Sequence, residues 1–185
     1  MRASRSWSSV ILEVFSIILG VLLALAVSEW QQARENQKRA TTALQNVKLE
    51  LQANAEILQR IHENNQETIE KARAPDTEAD ENLQFIPGVQ VRSTAWETLL
   101  ATDVAGYVDY GLLLSLSETY SMQGIYRQIG MQLVDASMTM AAMATIAQKP
   151  IDNDAMQDQF MAYFTMILTM EGTLLDSYRD AVARL

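Results

Sequence analysis

Residues 10–54 read VILEVFSIILGVLLALAVSEWQQARENQKRATTALQNVKLELQAN and hold two hydrophobic patterns joined without a break. From Val10 to Val27 the chain is apolar apart from Glu13, Ser16 and Gly20, with Trp7 before the run and Trp30 after it. The two tryptophans are 23 residues apart, about 34 Å along a helix, slightly more than a hydrocarbon core of about 30 Å. Tryptophan at both ends fits the interfacial aromatic belt, so Trp7 and Trp30 are read as interface anchors and residues 7–30 as a membrane-spanning helix. A secretory signal is the rival reading, with Ala24-Leu25-Ala26 as its cleavage site. A carboxylate at the head of the apolar run speaks against it.

After Trp30 the period changes. Trp30, Gln37, Leu44, Leu51, Leu58, Asn65 and Ala72 form one register, and Ala33, Ala40, Val47, Asn54, Ile61 and Thr68 a second. This alternation of three and four predicts a long coiled-coil-like helix with a packed seam. No Gly or Pro interrupts residues 21–74, so that helix continues directly out of the membrane. Pro75 disfavours a helical residue before it and ends the helix near Ala74.

Within the span, Ser9, Glu13, Ser16, Gly20, Ala24 and Ser28 follow one another at spacings of three or four and share one small or polar face. Such a face lets a second helix approach closely, because lipid offers no hydrophobic drive for helix association. Glu13 lies about 9 Å inward of Trp7, at a depth where carboxylates face protein or water. The alternative is a lone anchor whose Glu13 snorkels to the headgroups. On a helical wheel Ser28 lies about 200° from Trp30, so the membrane face and the seam point in nearly opposite directions. Arg2 and Arg5 precede the span, and Arg34, Lys38 and Arg39 follow it, which nearly balances the positive-inside count. A short tail with two arginines is easier to retain than to translocate. The expected topology is a cytoplasmic tail of residues 1–6 and a periplasmic domain of residues 31–185, in a bacterial inner membrane.

Beyond the long helix, residues 75–92 hold two Pro, one Gly and an acidic cluster, and read as a loop. Thr94 and Glu97 fit a capping box, which opens a short helix interrupted near Gly106. Asp109 caps a second long helix, whose apolar stripe is Met122, Tyr126, Ile129, Leu133, Ala136, Met140, Met143 and Ala147. Lys149-Pro150 stops it. A last helix starts near Asp152 or Asp154, with Phe160, Phe164, Ile167, Leu174, Tyr178 and Leu185 on its apolar face. The expected fold is all-α: the membrane helix running into an antiparallel bundle of three long helices and one short one.

Charge and composition exclude several functions. The net charge is −9, and residues 93–185 carry four basic against eleven acidic groups, which speaks against nucleic acid as a partner. The chain has no Cys and a single histidine, His62, so triads and most transition-metal sites lack their residues. Ten methionines include Met138, Met140, Met143, Met161, Met166 and Met170. Thioethers can hold Cu(I), but Met140 and Met143 already lie on a core stripe, where methionine fills gaps. No catalytic residue, cofactor or metal site is expected.

Three stretches, LGVLLALAVSEW (19–30), ALQNVKLELQAN (43–54) and TAWETLLATDVAGYVDY (94–110), together with Tyr120, resemble a family of uncharacterised bacterial single-pass membrane proteins, a domain of unknown function. The resemblance implies an inside-facing anchor followed by a helical domain, and no activity. Its members usually place basic residues directly after the tryptophan, where this chain has Gln31-Gln32-Ala33-Arg34. Within those stretches Glu50, Asn54, Trp96 and Glu97 are candidate recognition or register residues. Asn54 falls on the seam, where a buried Asn commonly sets helix register. The second reading has Glu50 and Asn54 hold the loop and Thr94–Trp96 as a recognition surface. The expected function is a non-enzymatic accessory or scaffold subunit of an inner-membrane complex. Its partners are the lipid bilayer and another membrane protein or a second copy, met through the small-residue face. A periplasmic sensor or ligand-binding bundle is the alternative.

Overall fold

The computed structural model describes residues 7–73, 90–147 and 153–185. Every regular element among them is helical: α1 (Trp7–Arg73), α2 (Thr94–Leu100), a 3-10 turn (Asp103–Tyr107), α3 (Tyr110–Ala147) and α4 (Asn153–Arg184). The all-α class and the long apolar N-terminal helix are therefore as expected. Most of the predicted loop 75–92 lies outside the described residues.

Helix α1 runs for 67 residues, about 100 Å at 1.5 Å per residue. Lys71 and Arg73 stand in its last turn, where cations offset the negative end of the helix dipole. The segment is long and apolar enough to cross a membrane, and its apolar window is not buried by the rest of the chain. Every described side chain between Trp7 and Arg39 is exposed except the half-buried Asn36.

The seam starts later than its period implies. Trp30, Ala33 and Gln37 are exposed, and burial begins at Ala40, continuing through Val47, Leu51, Asn54, Leu58, Ile61 and Asn65. Among the described residues only the 3-10 turn, at Asn36, packs beside α1 below Ala40, so the first positions of the repeat meet no facing helix there. At the far end Ile69 is buried in place of Thr68. A straight helix drifts about 20° per heptad against a strict seven-residue repeat, and over four heptads that moves the inward position by one residue.

Helix α4 runs antiparallel to α1: Arg179 reaches Gln59, Glu171 reaches His62, and Arg73 reaches Thr165. It is antiparallel to α3 as well, with Arg184 beside Ser115 and Tyr126 beside Glu171. Helix α3 consequently runs in the same direction as α1. The core they share joins Val47, Leu51 and Leu58 to Trp96 and Leu99, Leu116 and Tyr126, and Ile167, Leu174 and Tyr178.

The stripe expected on α3 is displaced. Leu116, Thr119, Tyr120, Gln123, Tyr126 and Gly130 are buried, whereas Met122, Ile129 and Leu133 are half-buried and Ala136 is exposed. Polar Thr119 and Gln123 take inward positions because partners wait for them there. The side chains of Met140 and Met143 lie outside those described, as does that of Phe160. On α4, Ile167, Leu174 and Tyr178 are buried as the spacing implies.

Two helix starts illustrate capping. Asp109 Oδ1 accepts the Leu112 amide at 2.9 Å and opens α3, as expected. At α2 the cap is Ser93, not Thr94: its carbonyl accepts the Glu97 amide, and its hydroxyl donates to the Glu97 carboxylate at 2.6 Å. The capping arrangement is shifted by one residue because the next amides are taken by a side chain from α1.

Candidate functional site

That side chain is Glu50. Its Oε2 accepts the Ala95 amide at 2.8 Å, and its Oε1 faces the Trp96 amide at 3.4 Å and the Tyr120 hydroxyl at 2.8 Å. A carboxylate at the positive end of a helix meets donors that the helix itself leaves unpaired. The Trp96 and Tyr120 rings stack over the same spot, with centroids 5.2 Å apart and planes 4° from parallel. Burial first, and then the bond to the Glu50 carboxylate, pushes the Tyr120 phenol far above its ordinary range, so it remains a donor.

One turn further along α1, Asn54 binds both main-chain polar groups of a single residue. Its amide donates to the Arg92 carbonyl at 2.7 Å, and its Oδ1 accepts the Arg92 amide at 2.9 Å. Gln123 supports both: its amide donates to the same carbonyl at 2.9 Å, and its oxygen accepts from Asn54 at 3.2 Å and from the Tyr178 hydroxyl at 2.7 Å. Tyr178 is likewise pushed up, by burial and then by the Glu50 charge.

A third node lies about two to three turns beyond Asn54, at His62 and Asn65. Glu171 is fully buried and takes bonds from Asn65 at 2.8 Å and from the Tyr126 hydroxyl at 2.9 Å. His62 Nδ1 lies 3.2 Å from its other oxygen. Burial pushes the Glu171 carboxyl above its usual range, and the bonds from Tyr126, Asn65 and His62 pull against that.

Glu50, Asn54 and Trp96 are therefore brought together at one place, through the main chain of Arg92, Ala95 and Trp96. Glu97 is turned away from them and exposed, bonded to Ser93. The nodes that sequence reasoning missed are Gln123 and Glu171. A signal for Glu171 exists: it stands four residues after Ile167 and three before Leu174, in an inward position of the repeat. The same holds for Gln123, three after Tyr120 and seven after Leu116. Chemically these nodes are anchors. Each oxygen faces a fixed donor, no buried side-chain N or O among the described residues lacks a partner, and no three His, Asp or Glu among them converge as ion ligands.

The surface these anchors create is a groove. The flank of α1 from Gln32 to Ala53 and the facing α2 and 3-10 turn border an open space of about 1270 Å³. Lys38, Asn46, Glu50, Arg92, Thr98 and Asp103 line it.

The residues of the expected membrane face present a different picture. Glu13, Ser16, Gly20, Ala24 and Ser28 are exposed, and a Cβ on Gly20 would meet nothing; the side chain of Ser9 lies outside those described. Trp7 and Trp30 are exposed, and the Arg34 guanidinium sits 5.5 Å over the Trp30 ring. At 100° per residue the buried face of α1, Ala40 to Asn65, is on average opposite the Ser9–Ser28 stripe. Comparison with protein-family models, with curated proteins and with solved structures finds no significant match for the chain.

Proposed function

We propose that this chain is a membrane-anchored, non-enzymatic accessory or scaffold subunit of a bacterial inner-membrane complex, in keeping with the single-pass proteins it resembles. Residues 7–30 cross the bilayer with the N-terminus inside. In the periplasm α1, α3 and α4 form an antiparallel bundle of three long helices, with α2 held against α1.

The observation that carries this reading is the exposure of the face from Glu13 to Ser28. Among the described residues Glu13 and its small neighbours meet no partner surface, and the buried face of α1 points the opposite way. A helix that carries a carboxylate into lipid is stabilised when a second helix covers it. In the aqueous part the same chain leaves no described buried polar side chain unpaired.

Photo-crosslinking in native membranes tests this. A photoreactive residue at Ser16 is expected to capture a second membrane chain, identified by mass spectrometry after gentle detergent extraction, and one at Leu22 on the opposite side is not. Recovery of the monomer alone from both positions overturns the proposal. The groove beside Glu50 favours a second reading, a periplasmic sensor or ligand-binding bundle; a small molecule that co-purifies with the intact protein and is lost on filling the groove, by Thr98→Trp, would favour it.

A further inference from the structure

We propose that the base of the helical domain, the 3-10 turn together with Tyr107 and Tyr110, sits in the headgroup layer of the bilayer. This rests on the reading of residues 7–30 as a membrane span. The argument is one of height along a single continuous helix. Asn36 donates to the Tyr107 hydroxyl at 3.2 Å, which ties the turn to α1 six residues beyond Trp30, about 9 Å along the axis. The headgroup layer beyond the hydrocarbon is about 5–8 Å deep, so on an upright helix the turn stands just above it and the tilt of the span must lower it in.

Tyr110 approaches the same boundary from another element. Tyr120 pairs with Glu50 and Gln123 with Asn54, so α3 rises beside α1 with its first residue nearest the membrane. Ten residues back from Tyr120 bring Tyr110 level with residue 40, about 15 Å beyond Trp30. Helical Cα–Cβ bonds tilt toward the N-terminus, so the Tyr110 ring leans from there toward the bilayer. It is 78% exposed.

The base overhangs the bilayer on the buried side of α1, away from the Ser9–Ser28 stripe. Transmembrane helices tilt by about 20° on average, and a tilt toward the overhang lowers both tyrosines further. Trp30, Tyr107 and Tyr110 then form one interfacial aromatic set drawn from three elements, each ring with an apolar body and a polar tip. Charge does not provide the attraction: Arg34, Lys38 and Arg39 near the base are matched by Glu35, Asp103 and Asp109. Contact should therefore not depend on anionic lipid.

Because the chain has no cysteine, single nitroxide labels can be placed cleanly. Gly106→Cys is suited to the base, since a Cβ there meets nothing within 4 Å. Ile18→Cys reports on the span, and Tyr163→Cys marks the far end of the domain. The full-length protein is reconstituted in phosphatidylcholine nanodiscs with a nickel-chelating headgroup lipid, and nickel-induced relaxation is read by electron paramagnetic resonance. The expected result is relaxation at Gly106→Cys severalfold above that at Tyr163→Cys, falling severalfold when Tyr110→Ser is added.

Equal relaxation at positions 106 and 163, with an oxygen-rich, nickel-poor signal at position 18, overturns the docked base and leaves the span intact. Enhancement that ignores Tyr110→Ser, or that appears only when phosphatidylglycerol is added, overturns the aromatic contact. A water-exposed label at position 18 overturns the span and this proposal together.

Discussion

Helix α1 carries two carboxylates in opposite circumstances. Glu50 is surrounded by donors from its own chain, two amides at the start of α2 and the Tyr120 hydroxyl. Glu13 stands among Leu, Val, Phe and Ile side chains that are all exposed. One helix thus holds a charge that the fold completes and a charge that the fold leaves open. The difference separates stability from association: residues around Glu50 hold the domain together, and residues around Glu13 are available to something outside it.

The strongest way to break that division is to damage the first site and look for effects at the second. Trp96→Ala removes a stacked, buried ring and should cost about 3–5 kcal/mol, read by thermal unfolding of the detergent-solubilised protein. Crosslinking from Ser16 should persist at temperatures where the domain remains folded. Loss of crosslinking in a folded Trp96→Ala protein would show that the two regions are coupled.

Asn54→Leu should cost about 2 kcal/mol, since it strands the Arg92 amide without its acceptor. A Leu variant as stable as the wild type would mean that Asn54 sets register only and that the Arg92 bonds add nothing.

The Glu171 node sharpens the comparison through pH. Burial raises its folded pKa above the ordinary carboxyl value of about 4.5, so the folded state holds that proton more tightly than the unfolded chain. The stability this group contributes is full below about pH 4.5 and is lost as pH rises through the folded value. Glu171→Gln keeps an acceptor for Asn65 and Tyr126 without the charge. The difference in melting temperature, variant minus wild type, should therefore grow in the variant's favour as pH is raised from 4.5 toward neutrality. A constant difference across that range would remove the assignment.

The smallest expected change in stability comes from Glu13→Gln. It should alter domain unfolding by less than about 0.5 kcal/mol, as surface changes do, while weakening capture of the second chain from Ser16. An unfolding shift as large as that of Asn54→Leu would mean that Glu13 is completed within the fold after all.

Much of this was legible in the residues. Asp109 opens α3, and the seam of α1 from Ala40 to Asn65 follows from its spacing, because backbone limits and apolar period are local properties; the stops expected at Pro75 and Pro150 lie outside the described residues. The anchors were less so. Glu50 and Asn54 stood out, but their true partners are main-chain amides of residues 92–96, and main chain carries no signature in a sequence. Glu171 reads as a solvated acid until Asn65, Tyr126 and His62 are brought to it from two other helices. The shift of the cap from Thr94 to Ser93 has the same origin, since a donor's claim by a distant carboxylate cannot be seen locally.

Because α1 passes from Trp7 to Arg73 without a turn or a loop, the angle between the two surfaces is a matter of residue count. One residue added between Trp30 and Asn36 would swing the domain by about 100° about the helix axis and raise it by 1.5 Å. Two would bring it round to the side of the Ser9–Ser28 stripe. Seven would return it to within about 20° of its starting bearing, two turns or about 10 Å higher. The length of that short stretch therefore acts as a compass setting, and evolution could re-aim the domain by insertion without altering any residue on either surface.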